Sequence, residues 1–130
     1  MGMLRFKLEG VDQAKLGAEH LQRTMIPHVE AAMDWFGRTV VAEAKADHPY
    51  QDQTGALTAS IGYSLTKSVV GPVVTVFATV PYADAVEFGT ATSRPFPFLF
   101  PKFFDLLPEA LLRMHIAFNA AFEEAARIGN

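Results

Sequence analysis

The most constraining feature of the sequence is the long stretch from Leu57 to Ala83, in which Lys67 is the only charged residue. Each half of the stretch alternates with the period of a β-strand. The alternating apolar residues are Leu57, Ala59, Ile61, Tyr63 and Leu65 in the first half and Val74, Val76, Ala78 and Val80 in the second. Lys67 to Pro72 joins the halves, so we predict an antiparallel hairpin. So little charge makes an exposed hairpin prone to aggregate. We therefore expect helices on one face, and a neighbouring subunit on the other face or at an edge.

The segment before the hairpin predicts one strand and two helices. Residues 3 to 9 alternate, which indicates a strand with one wet face. Asp12 is a candidate N-cap for a short helix from Lys15 to Met25, which Pro27 would end or kink. A second, amphipathic helix then extends to about Ala46. Its predicted apolar stripe is Val29, Met33, Phe36, Val40 and Ala44.

The segment after the hairpin predicts a short helix, an extended arm and a terminal helix. Tyr82 to Phe88 fits one or two helical turns, and Gly89 to Pro101 is rich in proline and phenylalanine. Lys102 to Leu107 fits a further helical turn, and Pro108 suits the start of a final helix. That helix would run from Leu111 to about Arg127. Its predicted stripe is Leu111, Met114, Phe118, Phe122 and Ala125.

The element order β-α-α-β-β-α predicts an α+β fold over residues 1–130, taken as a single domain. A small antiparallel sheet, made of the N-terminal strand and the long hairpin, would be packed by a long helix and a C-terminal helix. Loop-forming residues fill the interval 47–56.

Composition narrows the function. The net charge is −3, which does not suit a protein that reads DNA sequence, and the absence of cysteine rules out disulfides and thiolate metal sites. No run of apolar residues is long enough for a membrane span. Charged residues make up 19 % of a chain that is 50 % hydrophobic. Low charge with high apolar content suggests that some apolar surface meets a partner.

Candidate catalytic and metal-binding residues are scattered. The histidines (His20, His28, His48 and His115) lack ligand spacing, and the serines (Ser60, Ser64, Ser68 and Ser93) lack a nucleophile elbow. Asp84 and Glu87 are three apart, but we expect them to face water or to pair with Arg94. The dispersed glycines form no phosphate-binding loop. We expect neither an enzyme nor a cofactor or metal. The remaining enzymatic alternative is a small hydrolase that uses Asp47, His48 and a nearby hydroxyl.

A phenylalanine run follows Arg94-Pro95. It comprises Phe96, Phe98, Phe100, Phe103 and Phe104. One interpretation places these rings in the core beneath the last helix. The other docks some of them into an adjacent subunit, because aromatic side chains bury a large area at interface centres. Five rings this close cannot all enter one small core.

Three segments carry a resemblance to a known family. The first segment is Thr54-Gly55-Ala56-Leu57, followed closely by Ser60-Ile61. The second is Tyr82-Ala83-Asp84-Ala85-Val86-Glu87-Phe88-Gly89-Thr90. The third is Arg94-Pro95-Phe96-Pro97-Phe98-Leu99-Phe100-Pro101. In this order they resemble T-G-x-L-x-x-S-I, Y-A-x-x-V-E-F-G-T and R-P-F-x-x-P. These patterns are typical of the tail-completion, neck and minor tail components of lambdoid-type siphophages, which also occur in prophages and gene transfer agents.

The resemblance implies a non-catalytic subunit of a homo-oligomeric ring at the phage head–tail junction or upper tail end. Such a virion protein is assembled in the bacterial cytoplasm, contacts other neck or tail proteins and lets DNA pass without specific binding. The motif residues expected to serve assembly are Thr54, Gly55, Leu57, Tyr82, Glu87, Phe88, Gly89, Thr90, Arg94, Pro95, Phe96, Phe98 and Pro101.

Individual roles can be assigned to some of these residues. We expect a positive φ at Gly89, pairing of Glu87 with Arg94 of the same or a neighbouring chain, and Tyr82 and Phe88 as core anchors. The arm and the hairpin edge would form the subunit contacts. A third reading of the chain is a monomeric module that binds a peptide as an added strand.

Overall fold

Three antiparallel strands and two long helices dominate the described part of the chain. The structure, a computed structural model, describes residues 4–9, 19–51, 53–69 and 71–129. The strands are β1 (Leu4–Glu9), β2 (Ile61–Ser68) and β3 (Gly71–Ala78); the helices are α1 (Glu19–Ala46), α2 (Ala56–Ser60), α3 (Ala83–Phe88) and α4 (Phe100–Gly129). The predicted α+β class is confirmed.

The sheet has the strand order β1-β3-β2, with both neighbours antiparallel to β3. Ala78 lies opposite Leu4 on one side and Ile61 on the other. Ser68 pairs with Gly71, so only positions 69 and 70 connect the hairpin strands. The predicted hairpin is confirmed, although its strands extend further into Lys67 to Pro72 than the turn-forming residues indicate.

Helix α1 packs on one face of the sheet and antiparallel to α4. Its predicted apolar stripe is buried, and Val74, Val76 and Ala78 of β3 are buried in the same core. The ring of Phe36 meets that of Phe103 of α4 edge-on, with 5.0 Å between the centroids. Burial of each large apolar side chain contributes about 1.5–3 kcal/mol, so this stripe holds both helices to the sheet.

The opposite face of the sheet is an open, shallow groove. Arg5 and Lys7 lie on β1, and the remainder is lined by Val73, Phe77 and serine and threonine hydroxyls between positions 64 and 79. Leu4 is buried while Arg5 and Lys7 are exposed, so the one wet face predicted for the first strand is confirmed.

The expected helix end at Pro27 is wrong. Helix α1 continues through Pro27, although a proline inside a helix costs about 3 kcal/mol. Pro27 is exposed, whereas Met25 and Val29 on either side are buried in the core. The packing of these neighbours offsets the local penalty. The predicted N-cap Asp12 and helix start Lys15 lie outside the described residues.

The expected strand start at Leu57 is also wrong, because residues 56–60 form helix α2. Leu57 and Ile61 are both buried. Residues four apart share a face in a helix and in a strand alike, so the alternating pattern did not distinguish the two. Gly55, with a φ of 79°, begins the turn, and the Thr54 hydroxyl accepts a hydrogen bond from the Ala56 N–H at 3.2 Å.

The last helix begins earlier than predicted. Helix α4 starts at Phe100 and passes through Pro108, so the expected separate turn from Lys102 to Leu107 is wrong. Its core-facing residues include Phe103, Ala110 and Ala121, all buried. Met114 and Phe118 are half-buried as expected. The predicted stripe is wrong at Leu111 and Phe122, which are both 51 % exposed. The side chain of Ala125 lies outside the described set.

Neither α1 nor α4, over the residues described, is apolar enough to cross a membrane.

Tyr63 of β2 joins the sheet to α1, and this contact is sensitive to pH. Its hydroxyl donates a 2.8 Å hydrogen bond to Asp34 Oδ1, and this bond, together with burial, raises the pKa of Tyr63 above its ordinary value. Ionisation of the phenol removes the donor. The contribution of the bond to stability is therefore present below about pH 10 and is lost as the pH rises through the raised pKa.

We predict that Asp34→Asn lowers the pKa of Tyr63 toward its ordinary value, because the negatively charged acceptor is gone. Absorbance titration at alkaline pH measures it, with Tyr63→Phe as the control that removes this transition. An unchanged titration in Asp34→Asn would show that Asp34 does not control the phenol.

Candidate assembly surface

The glutamate of the central motif is a buried bridge between two helices. Glu87, on α3, is 2 % exposed. Its Oε1 accepts hydrogen bonds from the N–H groups of Phe98 (3.2 Å) and Leu99 (2.8 Å), and its Oε2 accepts one from Phe100 (3.1 Å). Phe100 is the first residue of α4. The first N–H groups of a helix lack helical partners, and the helix dipole favours negative charge there. Glu87 therefore caps α4 from a distance in sequence.

The expectation that Glu87 faces water or pairs with Arg94 is wrong. Its carboxylate is enclosed and accepts three backbone N–H groups, whereas Arg94 is exposed. The Arg94 guanidinium lies 4.9 Å from the centre of the Phe96 ring. This is a cation–π contact, so the arginine of R-P-F packs on the phenylalanine of the same motif.

The Gly89-Thr90 turn sets the course of the chain after α3. Gly89 has a φ of 80° and a ψ of 175°, so the predicted positive φ is confirmed. The Thr90 N–H donates to the Ser93 carbonyl at 2.8 Å, and the Thr90 hydroxyl accepts from the Ser93 N–H at 3.1 Å. The Phe96 N–H then donates to the Val86 carbonyl at 2.8 Å. These bonds fold the start of the predicted arm back against α3.

The three motifs converge on two adjoining clefts, which we call the motif clefts. Both clefts are lined by Val86 of α3 and by Tyr82, which directly precedes α3. The first cleft is completed from the T-G-x-L segment by Thr54, Gly55, Ala56 and Leu57. The second is completed by Thr90, Ser93 and Phe96, among others. Segments separated by tens of residues thus form one surface.

Tyr50 and Gln53, which the sequence did not single out, also line both motif clefts. The hydroxyl of Tyr50 is hydrogen-bonded to Thr58 Oγ1, and its ring meets Phe98 edge-on at 5.3 Å. A tyrosine within a polar loop was the available signal, because such a ring needs an apolar surface.

The motif residues differ widely in exposure. Tyr82 and Phe88, expected as core anchors, are 46 % and 58 % exposed, so that expectation is wrong. The other exposed motif residues are Thr54, Thr90, Arg94 and Pro95. The half-buried ones are Gly55, Gly89, Phe96 and Pro101, and the buried ones are Leu57, Glu87 and Phe98.

The phenylalanine run divides between core and surface. Phe98 and Phe103 are buried, Phe96 is half-buried, and Phe100 and Phe104 are 43 % and 47 % exposed. Phe98 therefore belongs to the core, and its predicted docking into a neighbour is wrong. The expectation that the five rings do not share one core is confirmed.

Asp47 and His48, the residues of the hydrolase alternative, have different neighbours. The Asp47 carboxylate is 3.0 Å from Lys102 Nζ. His48 Nδ1 donates to the Tyr50 carbonyl at 2.9 Å, and the imidazole stacks on the Tyr50 ring. Ser60, the nearest serine in sequence, donates to the Leu57 carbonyl at 2.8 Å.

Other histidines also have defined contacts. His28 lies 3.0 Å from Glu124 and His115 lies 3.4 Å from Asn119. Among the described residues, no three metal-ligating side chains come close enough to hold an ion.

Comparison with known proteins finds no family model, curated protein or solved structure that matches this chain.

We predict that Glu87→Gln lowers the free energy of unfolding by about 3 kcal/mol. The amide supplies one acceptor oxygen where the carboxylate supplies two, and it turns an N–H₂ group toward buried donors. Urea unfolding measures the change. Asp84→Asn, an exposed carboxylate on the same helix, is the matched control and should change stability by less than about 0.5 kcal/mol. Equal effects of the two changes would contradict the capping role of Glu87.

The glycines at 55 and 89 form a second matched pair. A Cβ on Gly89 would lie 2.8 Å from Pro95 N and 2.9 Å from the Ser93 carbonyl oxygen, whereas a Cβ on Gly55 meets nothing within 4 Å. Both have positive φ. We predict a loss of about 3 kcal/mol for Gly89→Ala, from strain and overlap, and of about 1 kcal/mol for Gly55→Ala, from strain alone. Thermal unfolding measures both, and a larger loss at Gly55 would be inconsistent with this account.

Proposed function

We propose that this chain is a non-catalytic structural subunit of an oligomeric ring at the head–tail junction or upper tail end of a long-tailed phage. The observation that carries the proposal is the convergence of the three motif segments on the motif clefts. Motifs that only stabilised a core would have no reason to share an exposed surface.

The character of the motif clefts supports assembly. Tyr82 and Phe96 present rings at the surface, and Arg94 is exposed beside them. Tyrosine, phenylalanine and arginine are enriched at protein–protein interfaces. The enclosed Glu87 beneath them holds the segment from Phe98 to Phe100 in place, so this surface is preformed and loses little entropy on binding.

A second candidate function is peptide binding by strand addition. Strand β2 forms one edge of the described sheet and carries Lys67 as its one charge. An edge with so little charge is a template for another strand. In the proposed ring the added strand comes from a neighbouring subunit; in the alternative it comes from an unrelated peptide bound by a monomer.

We predict that loss of the gene from its phage or prophage gives filled heads and detached tails, counted by electron microscopy of induced lysates. Wild-type protein should restore joined particles. Tyr82→Ser should reduce joining by at least tenfold, because it removes an exposed ring from both motif clefts.

Two control variants separate the interpretations. Ile116→Ser changes an exposed side chain of α4, away from the motif clefts and from the β2 edge, and should restore joining fully. Asp47→Asn should also restore joining, because Asp47 lines neither motif cleft, whereas its failure in a folded protein would favour the hydrolase alternative. Normal particles without the gene would refute the proposed function.

A further inference from the structure

Helix α4 has a second apolar stripe beside the one that faces the core. It comprises Phe104, Pro108, Leu111, His115, Phe118 and Phe122, at spacings of four, three, four, three and four. Phe118 lies at the border with the core-facing side and is half-buried against the core, and the other five are exposed. We call this set the outer stripe. It contains no aspartate, glutamate, lysine or arginine.

The spacing of the outer stripe is that of a helix-pairing seam. Alternate steps of four and three keep apolar residues on one line when two helices wrap around each other. A helix that packs against a single partner needs an apolar face that is narrower than the one on α4. The core-facing side of α4, with Phe103, Ala110 and Ala121, is already occupied by α1, so the outer stripe calls for a different helix.

The outer stripe is complementary to a copy of itself in the antiparallel direction. A two-fold axis between Leu111 and His115 places Phe104 against Phe122, Pro108 against Phe118, and Leu111 against His115 of the other copy. Each of these contacts then occurs twice in the pair, as an isologous interface requires. Antiparallel helices also bring the positive end of each dipole beside the negative end of the other.

The available area is sufficient for a weak dimer. Phe104 and Phe122 are 47 % and 51 % exposed. Aromatic side chains have roughly 200 Å² each, and the proline, leucine and histidine have less, so the exposed parts of the outer stripe offer roughly 500 Å² per chain, or roughly 1,000 Å² for the pair. That area is in the range of weak complexes and exceeds most crystal-packing contacts.

From this pattern we infer that α4 pairs in antiparallel fashion with α4 of a second copy of this chain, along the outer stripe. Such a two-fold pair is complete with two chains, because both outer stripes are then covered. The proposed phage ring would instead use head-to-tail contacts at other residues, so the α4 pair stands or falls separately from that function.

The first test is sedimentation equilibrium of the full chain over a concentration series. The mass should rise from 14.2 kDa to twice that value. Leu111→Lys should weaken dimerisation at least tenfold, because it buries a cation opposite His115, which offers no negative charge to pair with it. Leu112→Lys is the matched control: Leu112 is 56 % exposed and lies one position along, on another side of the helix. It should leave the dimer unchanged.

Several outcomes overturn the inference. A wild-type chain that stays monomeric throughout would mean that another protein, or nothing, covers the outer stripe. Equal weakening by Leu111→Lys and Leu112→Lys would place the contact elsewhere on α4. Circular dichroism of each variant verifies that the helices remain formed, and Leu111→Ser replaces Leu111→Lys if that variant unfolds.

The second test determines direction. Because the chain has no cysteine, Phe104→Cys and Phe122→Cys each introduce a single thiol. Mixed under oxidising conditions, the two variants should cross-link to each other, and neither alone should cross-link efficiently. Efficient cross-linking of each variant with itself would indicate a parallel pair and overturn the antiparallel one.

Discussion

The placement of α4 depends on one carboxylate. Glu87 satisfies three backbone N–H groups at the entrance to α4, and a buried negative charge there is stable because those donors and the helix dipole compensate its lost hydration. The helix that begins at Phe100 supplies Phe103 to the core and most of the partner surface for α1. Without Glu87, the segment that connects α3 to α4 would carry unpaired buried donors, and the direction in which α4 leaves would be poorly determined.

The burial of Glu87 also divides the motif residues into those that support the fold and those that remain accessible to a partner. Once Glu87 and Phe98 are enclosed, the remaining motif side chains, such as Tyr82 and Arg94, are left at the surface. A motif can therefore combine a rigid support with an exposed contact layer. The proposed assembly role needs both, because a preformed surface binds with less loss of entropy.

Periodicity predicted the fold class, the hairpin and the core stripe of α1, because those patterns are direct records of burial. It failed where distant packing competes with local preference. Pro27 and Pro108 each disfavour a helix interior locally, yet α1 and α4 continue through them because the apolar residues around them are held by the opposing helix. Leu57 and Ile61 satisfy two periods at once. The capping role of Glu87 could not be predicted from the neighbouring sequence, because its hydrogen-bond partners are backbone N–H groups, which any sequence possesses. Its position in a recognisable motif was the available clue.

The strand order has a consequence for the kinetics of folding. Strands β2 and β3 are adjacent in sequence, so their hairpin can form within microseconds. The remaining side of β3 is filled by β1, whose Leu4 must find Ala78 across most of the chain. Closing so large a loop is slower, because its entropy must be lost before any contact compensates. During that interval the flank of β3, bearing Val74 and Val76, is an unpaired edge. Pairing of β1 with β3 covers this edge. It thus ends the period in which the newly made chain is most prone to aggregate through β3.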